Sequence, residues 1–263
     1  MDGAHWRVEA VGDVTVAVCA PLTQIPGVSH AFSTRIGAGA SDFDLGPAEG
    51  ESDVVRDRRR RFLEAAGLGG RPLPILRQAH GGDLVDANVA HGARADGIVS
   101  WASSGGVVPV AAVRTADCVA LLVADRRGRV VAAAHAGWRG VAARIPARLV
   151  ELLLGRGVRP ADLVFALGPA IRGCCYEVGG EVVAALDAAS GPGRFGLLRT
   201  AGRTTVDLHV AIRSQLVAAG VDPGSVHGAP WCTGCRTDLF FSARIEGPAT
   251  GRLLAAVGSA QRP

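Results

Sequence analysis

The sequence predicts an α+β protein in which mixed β-sheets are sandwiched between helices. Short apolar runs typical of strands follow one another with few helices between them. Three other segments repeat apolar residues at helical spacing. No G-x-G-x-x-G motif follows the first strand candidate, which disfavours a dinucleotide-binding fold. A chain of 263 residues can bury a large core, and we expect residues 1–263 to form a single domain.

The helix candidates are bounded by residues that begin and end helices. Asp53 is a suitable N-cap for the first, and Gly67 lies just beyond its end. The second candidate lies between Gly137 and Gly155. The remaining predicted spans are Leu208–Ala219 and, with a weaker pattern, Glu177–Ala188.

Each strand candidate is a short apolar run. The predicted strands are Val14–Cys19, Ala31–Thr34, Leu84–Asn88, Gly97–Ser100, Val107–Val113, Val119–Ala124, Val130–Ala134, Leu163–Leu167 and Leu253–Val257. Several of them are consecutive, which indicates sheets with antiparallel neighbours rather than a regular alternation of strand and helix.

All 28 basic residues are arginine, and the formal net charge is +4. Without lysine the chain cannot form a Schiff base or a nucleotide-binding P-loop, so those enzyme classes are excluded. Arginine binds phosphate and carboxylate through a planar fork of donors. The composition therefore favours a small anionic substrate, and we expect no nucleic-acid partner.

The sequence indicates a cytoplasmic protein. No apolar run approaches the roughly 20 residues of a membrane-spanning helix, and the N-terminal residues do not resemble a secretory signal. We expect no membrane partner and no obligate protein partner. In the cytoplasm the six cysteines are expected to be thiols. Cys232 and Cys235 lack a second C-x-x-C, so we interpret them as a structural turn pair rather than a zinc ribbon.

The most informative segment is TADC, VALLVAD, RRGR and VVAAAH, which spans residues 115–135. Two apolar runs joined by an Arg/Gly turn predict an antiparallel hairpin. With a two-residue loop at 126–127, Cys118 would face His135, and other loops would shift this pairing by one or two residues. Opposed residues have Cβ atoms about 5 Å apart, so the thiol and the imidazole are expected to converge.

A third ligand is available at His80, which lies beside two glycines ahead of a predicted strand. Two imidazoles and one thiolate form a three-ligand set that leaves one position open, as in catalytic zinc sites. Copper accepts the same ligands, so residue type leaves the metal open. A metal-free reading also stays open, in which Cys118 and His135 act as a hydrolase pair or belong to a partner-binding protein.

Several motifs occur in a fixed order along the chain. They are QAHGG at 78–82, ADGIVS at 95–100, TADCVALLVAD at 115–125, AAHAGWRG at 133–140, GPAIRGCCYEVGGEV at 168–182, CTGC at 232–235 and FFSAR at 240–244. In these motifs the chain resembles the YfiH/YlmD family (DUF152), to which laccase domain-containing proteins belong. The resemblance implies a fold similar to the catalytic domain of cytotoxic necrotizing factor. It also implies a zinc ion held by His80, Cys118 and His135.

The resemblance further implies a purine nucleoside phosphorylase. Its substrates would be phosphate and adenosine, inosine, guanosine or methylthioadenosine, with adenosine deamination as a side activity. The family was first described as copper-dependent polyphenol oxidases, which gives a second candidate function. Multicopper oxidases need several His-x-His ligand sets, and the seven histidines here form none.

Side chains near these motifs are candidates for substrate binding and catalysis. Arg35, Arg58 and Arg139 are predicted to bind phosphate, because arginines neutralise its charge. Gln78 of QAHGG is a further candidate for substrate binding.

Two more residues next to the motifs have alternative roles. Asp117 is interpreted either as a proton carrier, which would make it catalytic together with Cys118 and His135, or as a residue that orients a ligand histidine. Cys175 is predicted to line the substrate pocket or to act as a nucleophile.

Overall fold

A computed structural model describes residues 3–46, 52–102, 107–200 and 202–260. In chain order its strands are β1 (Trp6–Val11), β2 (Val14–Cys19), β3 (Val28–Gly37), β4 (Leu84–Asp86), β5 (Gly97–Trp101), β6 (Ala111–Thr115), β7 (Val119–Asp125), β8 (Val130–Ala136), β9 (Leu163–Leu167), β10 (Leu198–Thr200), β11 (Arg203–Thr205), β12 (Val226–Gly228) and β13 (Leu253–Ser259). Its α-helices are α1 (Ala20–Thr23), α2 (Asp53–Ala65), α3 (Trp138–Ala142), α4 (Ile145–Leu154), α5 (Gly180–Ser190), α6 (Leu208–Ala218) and α7 (Ala243–Glu246). None of these helices is long and apolar enough to cross a bilayer.

Two larger sheets form the centre of the fold. The first has the order β1-β2-β3-β13-β6 and is antiparallel throughout. The second has the order β12-β9-β7-β8-β5-β4, in which the outer pairs β12/β9 and β4/β5 are parallel and the inner pairs antiparallel. The expected α+β class with a mixed sheet is confirmed.

The core is divided into layers by these sheets. Between the two sheets lie Phe32 and Val113 of the first and Leu122 of the second. Leu121 and Val123 point to the opposite face of β7, where they pack with α3, α4 and α6. Helix α2 covers the outer face of the first sheet through Phe62 and Leu63. Because β7 is buried on both faces, it reads as a continuous apolar run rather than an alternating one.

The helices differ from the sequence prediction mainly at their ends. Ser52, not Asp53, is the N-cap of α2, and its hydroxyl accepts the Val55 N–H at 3.3 Å. The predicted helix between Gly137 and Gly155 is two helices, α3 and α4. The break lies at Arg144, which has a left-handed φ of 59°, and Pro146 stands at the start of the second helix, where its missing N–H costs no hydrogen bond.

The strand prediction is right for the central elements and incomplete at the edges. Strand β3 is longer than predicted, and β6 begins at Ala111 rather than at Val107. The edge strands β1 and β12 and the small β10/β11 pair were not predicted. Strands β1, β10 and β11 carry little apolar pattern, because many of their residues face solvent. Strand β12 is buried, but its three residues are too few to show a periodic pattern.

Candidate metal centre

Three side chains predicted from the sequence converge at one end of the β7/β8 hairpin. The ligand atoms of His80, Cys118 and His135 all lie within 4.8 Å of one another. The two imidazole rings meet edge to face, with centroids 4.7 Å apart. Cys118 directly precedes β7, His135 lies near the end of β8, and His80 lies in the loop ahead of β4. We call these three residues the ligand cluster.

The hairpin register differs from the prediction by two residues. Ala120, not Cys118, pairs with His135, because the connection contains four residues, 126–129, instead of two. The buried Asp125 carboxylate stabilises this longer turn by accepting the backbone N–H groups of Arg129 and Val130. Cys118 is therefore a diagonal neighbour of His135, which still lets sulfur and nitrogen approach.

Asp96 holds the ligand cluster together, and the sequence analysis missed it. Its buried carboxylate accepts the backbone N–H groups of Ala79 at 3.2 Å, His80 at 2.9 Å and Gly81 at 2.7 Å. It also lies 3.0 Å from Nδ1 of His135. Its place in the ADG motif, next to the motifs that supply the ligands, was the available signal.

Because Asp96 contacts Nδ1 of His135, Nε2 is the nitrogen of this ring that would bind a metal. A histidine that donates its Nδ1–H to a carboxylate keeps the lone pair on the other nitrogen, which is the usual arrangement of metal-ligating histidines. Burial raises the pKa of Asp96, but the hydrogen bond from His135 and the backbone donors outweigh it, so the net shift is downward. An ionised carboxylate at this position orients both histidine-bearing segments.

Electrostatics favour a thiolate at Cys118. Burial raises the pKa of this thiol, but the charge of His135 and hydrogen bonds from His135 and His80 lower it to about 6. Burial lowers the pKa of His135, while the Cys118 thiolate and Asp96 raise it to about 9. A thiolate with two adjacent imidazoles is a soft-to-borderline donor set that fits zinc or copper.

Asp96, rather than Asp117, contacts the ring of His135. The Asp117 carboxylate accepts the Thr233 hydroxyl at 2.6 Å and the Arg244 backbone N–H at 2.7 Å. Its φ of 91° is strained for a residue with a side chain. These bonds hold the TADC turn to two distant segments and so support Cys118.

Two cavities adjoin the ligand cluster and share His80, Ala116, Cys118 and Ala243 in their walls. The first, of about 500 Å³, also contains Arg114, Arg252 and Gln78, and we call it the arginine cavity. The second, of about 340 Å³, contains Tyr176, Ile171, Leu208, Asp117 and Arg244, and we call it the tyrosine cavity. The cluster therefore lies between a cationic space and a largely apolar one.

The arginines of the first cavity are not those that the sequence analysis selected. Burial and the nearby charges of Arg59 and Arg252 lower the pKa of Arg114 to about 10, which leaves it charged at neutral pH. Asp44 shares this cavity, but its carboxylate already accepts the backbone N–H of Arg252 at 2.7 Å. The two guanidinium groups of Arg114 and Arg252 outnumber this one carboxylate, so the arginines and Asp44 together leave a net positive charge in the wall. The position of Arg114 directly before TADC was the available signal.

The other predicted residues lie in different places. Gln78 lines the arginine cavity, where its side chain exchanges two hydrogen bonds with the Arg114 backbone, at 2.8 and 2.9 Å. Arg35 forms an ion pair with Glu246 at 2.7 Å and does not line either cavity.

Arg58, Arg139 and Cys175 also lie outside both cavity walls. Arg58 lies 3.6 Å from Asp42, and the exposed Arg139 stacks on Trp138. Cys175 belongs to a separate group of cysteines.

Gly137 allows the ligand cluster to close. A Cβ atom at this position would lie 2.9 Å from the Cys118 sulfur. We expect Gly137→Ala to displace the sulfur and weaken metal binding roughly tenfold. Gly179→Ala is the matched control, because both glycines are helix N-caps with φ near −80° and the control Cβ meets nothing within 4 Å. Calorimetric metal titration of both variants checks this expectation, and equal affinities would contradict it.

The fold and the site together define the class of protein. It is an α+β protein with a candidate three-ligand metal centre at the end of a buried hairpin. The family described as multi-copper polyphenol oxidoreductase laccase matches residues 29–260. The chain belongs to this family, and the resemblance inferred from the motifs is confirmed.

One relative and one solved structure cover nearly the whole chain, and a second relative covers about half of it. A purine nucleoside phosphorylase of Deinococcus radiodurans is 37% identical over 250 residues, which are 92% of this chain and 94% of that protein. The crystal structure of YlmD from Geobacillus stearothermophilus has a TM-score of 0.85 at 29% identity and covers 98% of this chain and 99% of its own. Adenosine deaminase RL5, from an unknown prokaryotic organism, is 39% identical over 145 residues, or 54% of this chain and 55% of that protein. The names of the two relatives support the interpretation that this chain is an enzyme of the same family.

Proposed function

We propose that the protein is a zinc-dependent purine nucleoside phosphorylase with adenosine deaminase activity. The observation that carries the proposal is the ligand cluster between a cationic and an apolar cavity, since a phosphate and a purine nucleoside need these two environments. The names of the Deinococcus and RL5 relatives support the two activities.

His80, Cys118 and His135 would hold the metal. One thiolate and two imidazoles match a catalytic zinc set in which one position stays open. A bound zinc ion supplies Lewis-acid polarisation to a substrate oxygen or water. Asp96 fixes the orientation of His135 and the loop of His80, and Asp117 holds the turn that presents Cys118.

Phosphate binding is assigned to the arginine cavity. Phosphorolysis breaks the bond between C1′ and the base nitrogen and forms a bond between C1′ and a phosphate oxygen. Arg114 and Arg252 would hold the phosphate dianion with charge-assisted hydrogen bonds, and Gln78 fixes the backbone at Arg114. Arg35, through its ion pair with Glu246, would support the surrounding wall instead of contacting phosphate.

The purine is assigned to the tyrosine cavity. Tyr176, Ile171 and Leu208 offer apolar surface for the base, and Asp117 and Arg244 form a polar part of the wall. The buried Asp117 carboxylate is already bonded to Thr233 and Arg244, which favours a positioning role over proton transfer.

The experiment that tests this function is incubation with adenosine, with and without phosphate, followed by chromatography of the products. We expect adenine and ribose 1-phosphate only when phosphate is present, and inosine as the deamination product. Metal analysis of the same sample should show zinc. Oxygen uptake with a phenol and no base release would overturn the proposal in favour of the copper oxidase.

Arg252 is expected to contribute to phosphate affinity. Removing a charge-assisted hydrogen bond costs about 1.5–3 kcal/mol, so Arg252→Gln should raise the KM for phosphate about 10- to 100-fold while the KM for nucleoside changes little. Arg159→Gln is the control, because this exposed arginine pairs with Asp162 and lines neither cavity. Steady-state kinetics with each substrate varied in turn check the expectation. An equal rise in both KM values would point to a general disturbance of the wall.

A further inference from the structure

Four cysteines form a second cluster outside the candidate metal centre. The sulfur atoms of Cys174, Cys175, Cys232 and Cys235 all lie within 4.8 Å of one another. The sulfur of Cys235 lies 3.5 Å from that of Cys174 and 3.4 Å from that of Cys175. We call these four residues the cysteine cluster. The sequence pattern alone did not predict it, because its two halves are 57 or more positions apart along the chain.

The distances within the cysteine cluster match those of a tetrahedral metal thiolate. Zinc–sulfur bonds of about 2.3 Å place the sulfurs of a tetrahedral site about 3.8 Å apart. The separations of 3.5 and 3.4 Å are slightly shorter than that value, and all the other pairs lie within 4.8 Å. A disulfide requires sulfurs about 2.05 Å apart, and all four cysteines are free thiols here.

The backbone brings the four sulfurs together through two tight turns. The first turn follows β9, where the Cys175 N–H donates to the Arg172 carbonyl at 2.9 Å. The second follows β12, where the Cys235 N–H donates to the Cys232 carbonyl at 3.2 Å. A Cβ atom at Gly234 would lie 3.1 Å from that of Cys175, so a glycine at this position lets the two turns approach.

A backbone donor stabilises negative charge on the cluster. The N–H group of Arg172 donates to the Cys232 sulfur at 3.3 Å. Such N–H···S bonds are the outer contacts that support thiolate ligands in metal sites. A cavity of about 760 Å³, which is lined by Cys174 and Cys232, gives an ion a path to the cluster.

We propose that the cysteine cluster binds a second zinc ion in a closed tetrathiolate site. Four zinc–sulfur bonds form, the thiol protons pass to solvent, and no oxidation is involved. A site with four protein ligands leaves no open position, so its role is structural. Two disulfides would instead need an external oxidant to accept four electrons, whereas metal binding needs none.

The second zinc would fix the wall of the tyrosine cavity. Tyr176, which lines this cavity, directly follows Cys175. Thr233, which donates to Asp117, directly follows Cys232. The ion would therefore join the two segments that position the base side of the candidate active site, without touching a substrate.

Metal stoichiometry tests this proposal independently of catalysis. We expect two zinc ions per wild-type chain purified under reducing conditions, and one in Cys174→Ser/Cys235→Ser. Both of these cysteines are exposed, which limits disturbance of the core, and Cys235→Ser alone is the milder variant. Cys19→Ala is the control, because Cys19 is buried away from both clusters and its loss should leave two ions.

Cobalt substitution identifies which cluster holds the ion. Four thiolates give a much stronger thiolate-to-cobalt charge-transfer absorbance than one, so Cys118→Ala should retain the strong band and the double serine variant should lose it. If the ligand cluster binds no metal, the wild type should hold a single ion with this strong band. A wild type without that band, or alkylation and mass spectrometry under reductant-free conditions showing disulfides among the four cysteines, would overturn the second site.

Discussion

Cys118→Ala is expected to abolish metal binding at the ligand cluster and to lower the proposed phosphorolysis by at least about 1,000-fold. The thiolate supplies the only negative charge among the three ligands, and losing a metal's electrostatic contribution costs several kcal/mol at the transition state. The fold should persist, because Cys118 lies at the edge of the hairpin rather than in a packed core.

Metal content, product formation and the melting temperature of this variant should be measured together. Cys19→Ala provides the comparison, since it also deletes one thiol but leaves both clusters intact. Phosphorolysis at the wild-type rate in Cys118→Ala would show that the ligand cluster is not the active site. His80→Ala and His135→Ala should lose metal in the same way.

Asp96→Ala is expected to have the second-largest effect, although Asp96 would contact neither metal nor substrate. The substitution removes the acceptor for His135 and for three backbone N–H groups of the His80 loop. Loss of such an outer carboxylate weakens metal affinity about 10- to 100-fold. Unsatisfied donors should also lower the free energy of unfolding by about 2–3 kcal/mol.

Asp96→Asn separates these two effects. The amide keeps the shape and one acceptor oxygen but cannot bind all four donors, so metal affinity should fall while much of the stability is retained. Asp222→Asn is the matched control, because Asp222 also accepts a backbone N–H, from Gly224 at 3.2 Å, at an exposed turn. Metal titration and chemical denaturation give the two quantities. Wild-type metal affinity in both Asp96 variants would contradict the assigned role.

The layered fold was predictable because its central strands are continuous apolar runs with turn residues at their ends. The edge strand β1 was not predicted, because only part of its surface is buried and its apolar pattern is weak. The hairpin loop was predicted too short because Asp125 caps a four-residue turn with its side chain, and apolar pattern does not report such contacts. The break before α4 could have been anticipated from Pro146.

The ligand cluster was predictable because two of its members lie in one hairpin. The role of Asp96 was not predicted, because it depends on hydrogen bonds from a backbone loop that lies beside this residue only in the folded chain. Arg114 and Arg252 converge on one cavity from different segments, and residue type alone could not distinguish them from the other arginines. A local sequence pattern does not show which distant residues the fold brings together in one site.

Strand β7 links the precision of the ligand cluster to the core. Leu121 and Val123 belong to one apolar layer and Leu122 to the other, so slipping the strand by one position would exchange the two sets. Both layers resist that exchange at once. Cys118 lies immediately ahead of this strand, so the packing of both layers fixes its position. The placement of this candidate metal ligand therefore depends mostly on apolar residues that take no part in metal binding or catalysis.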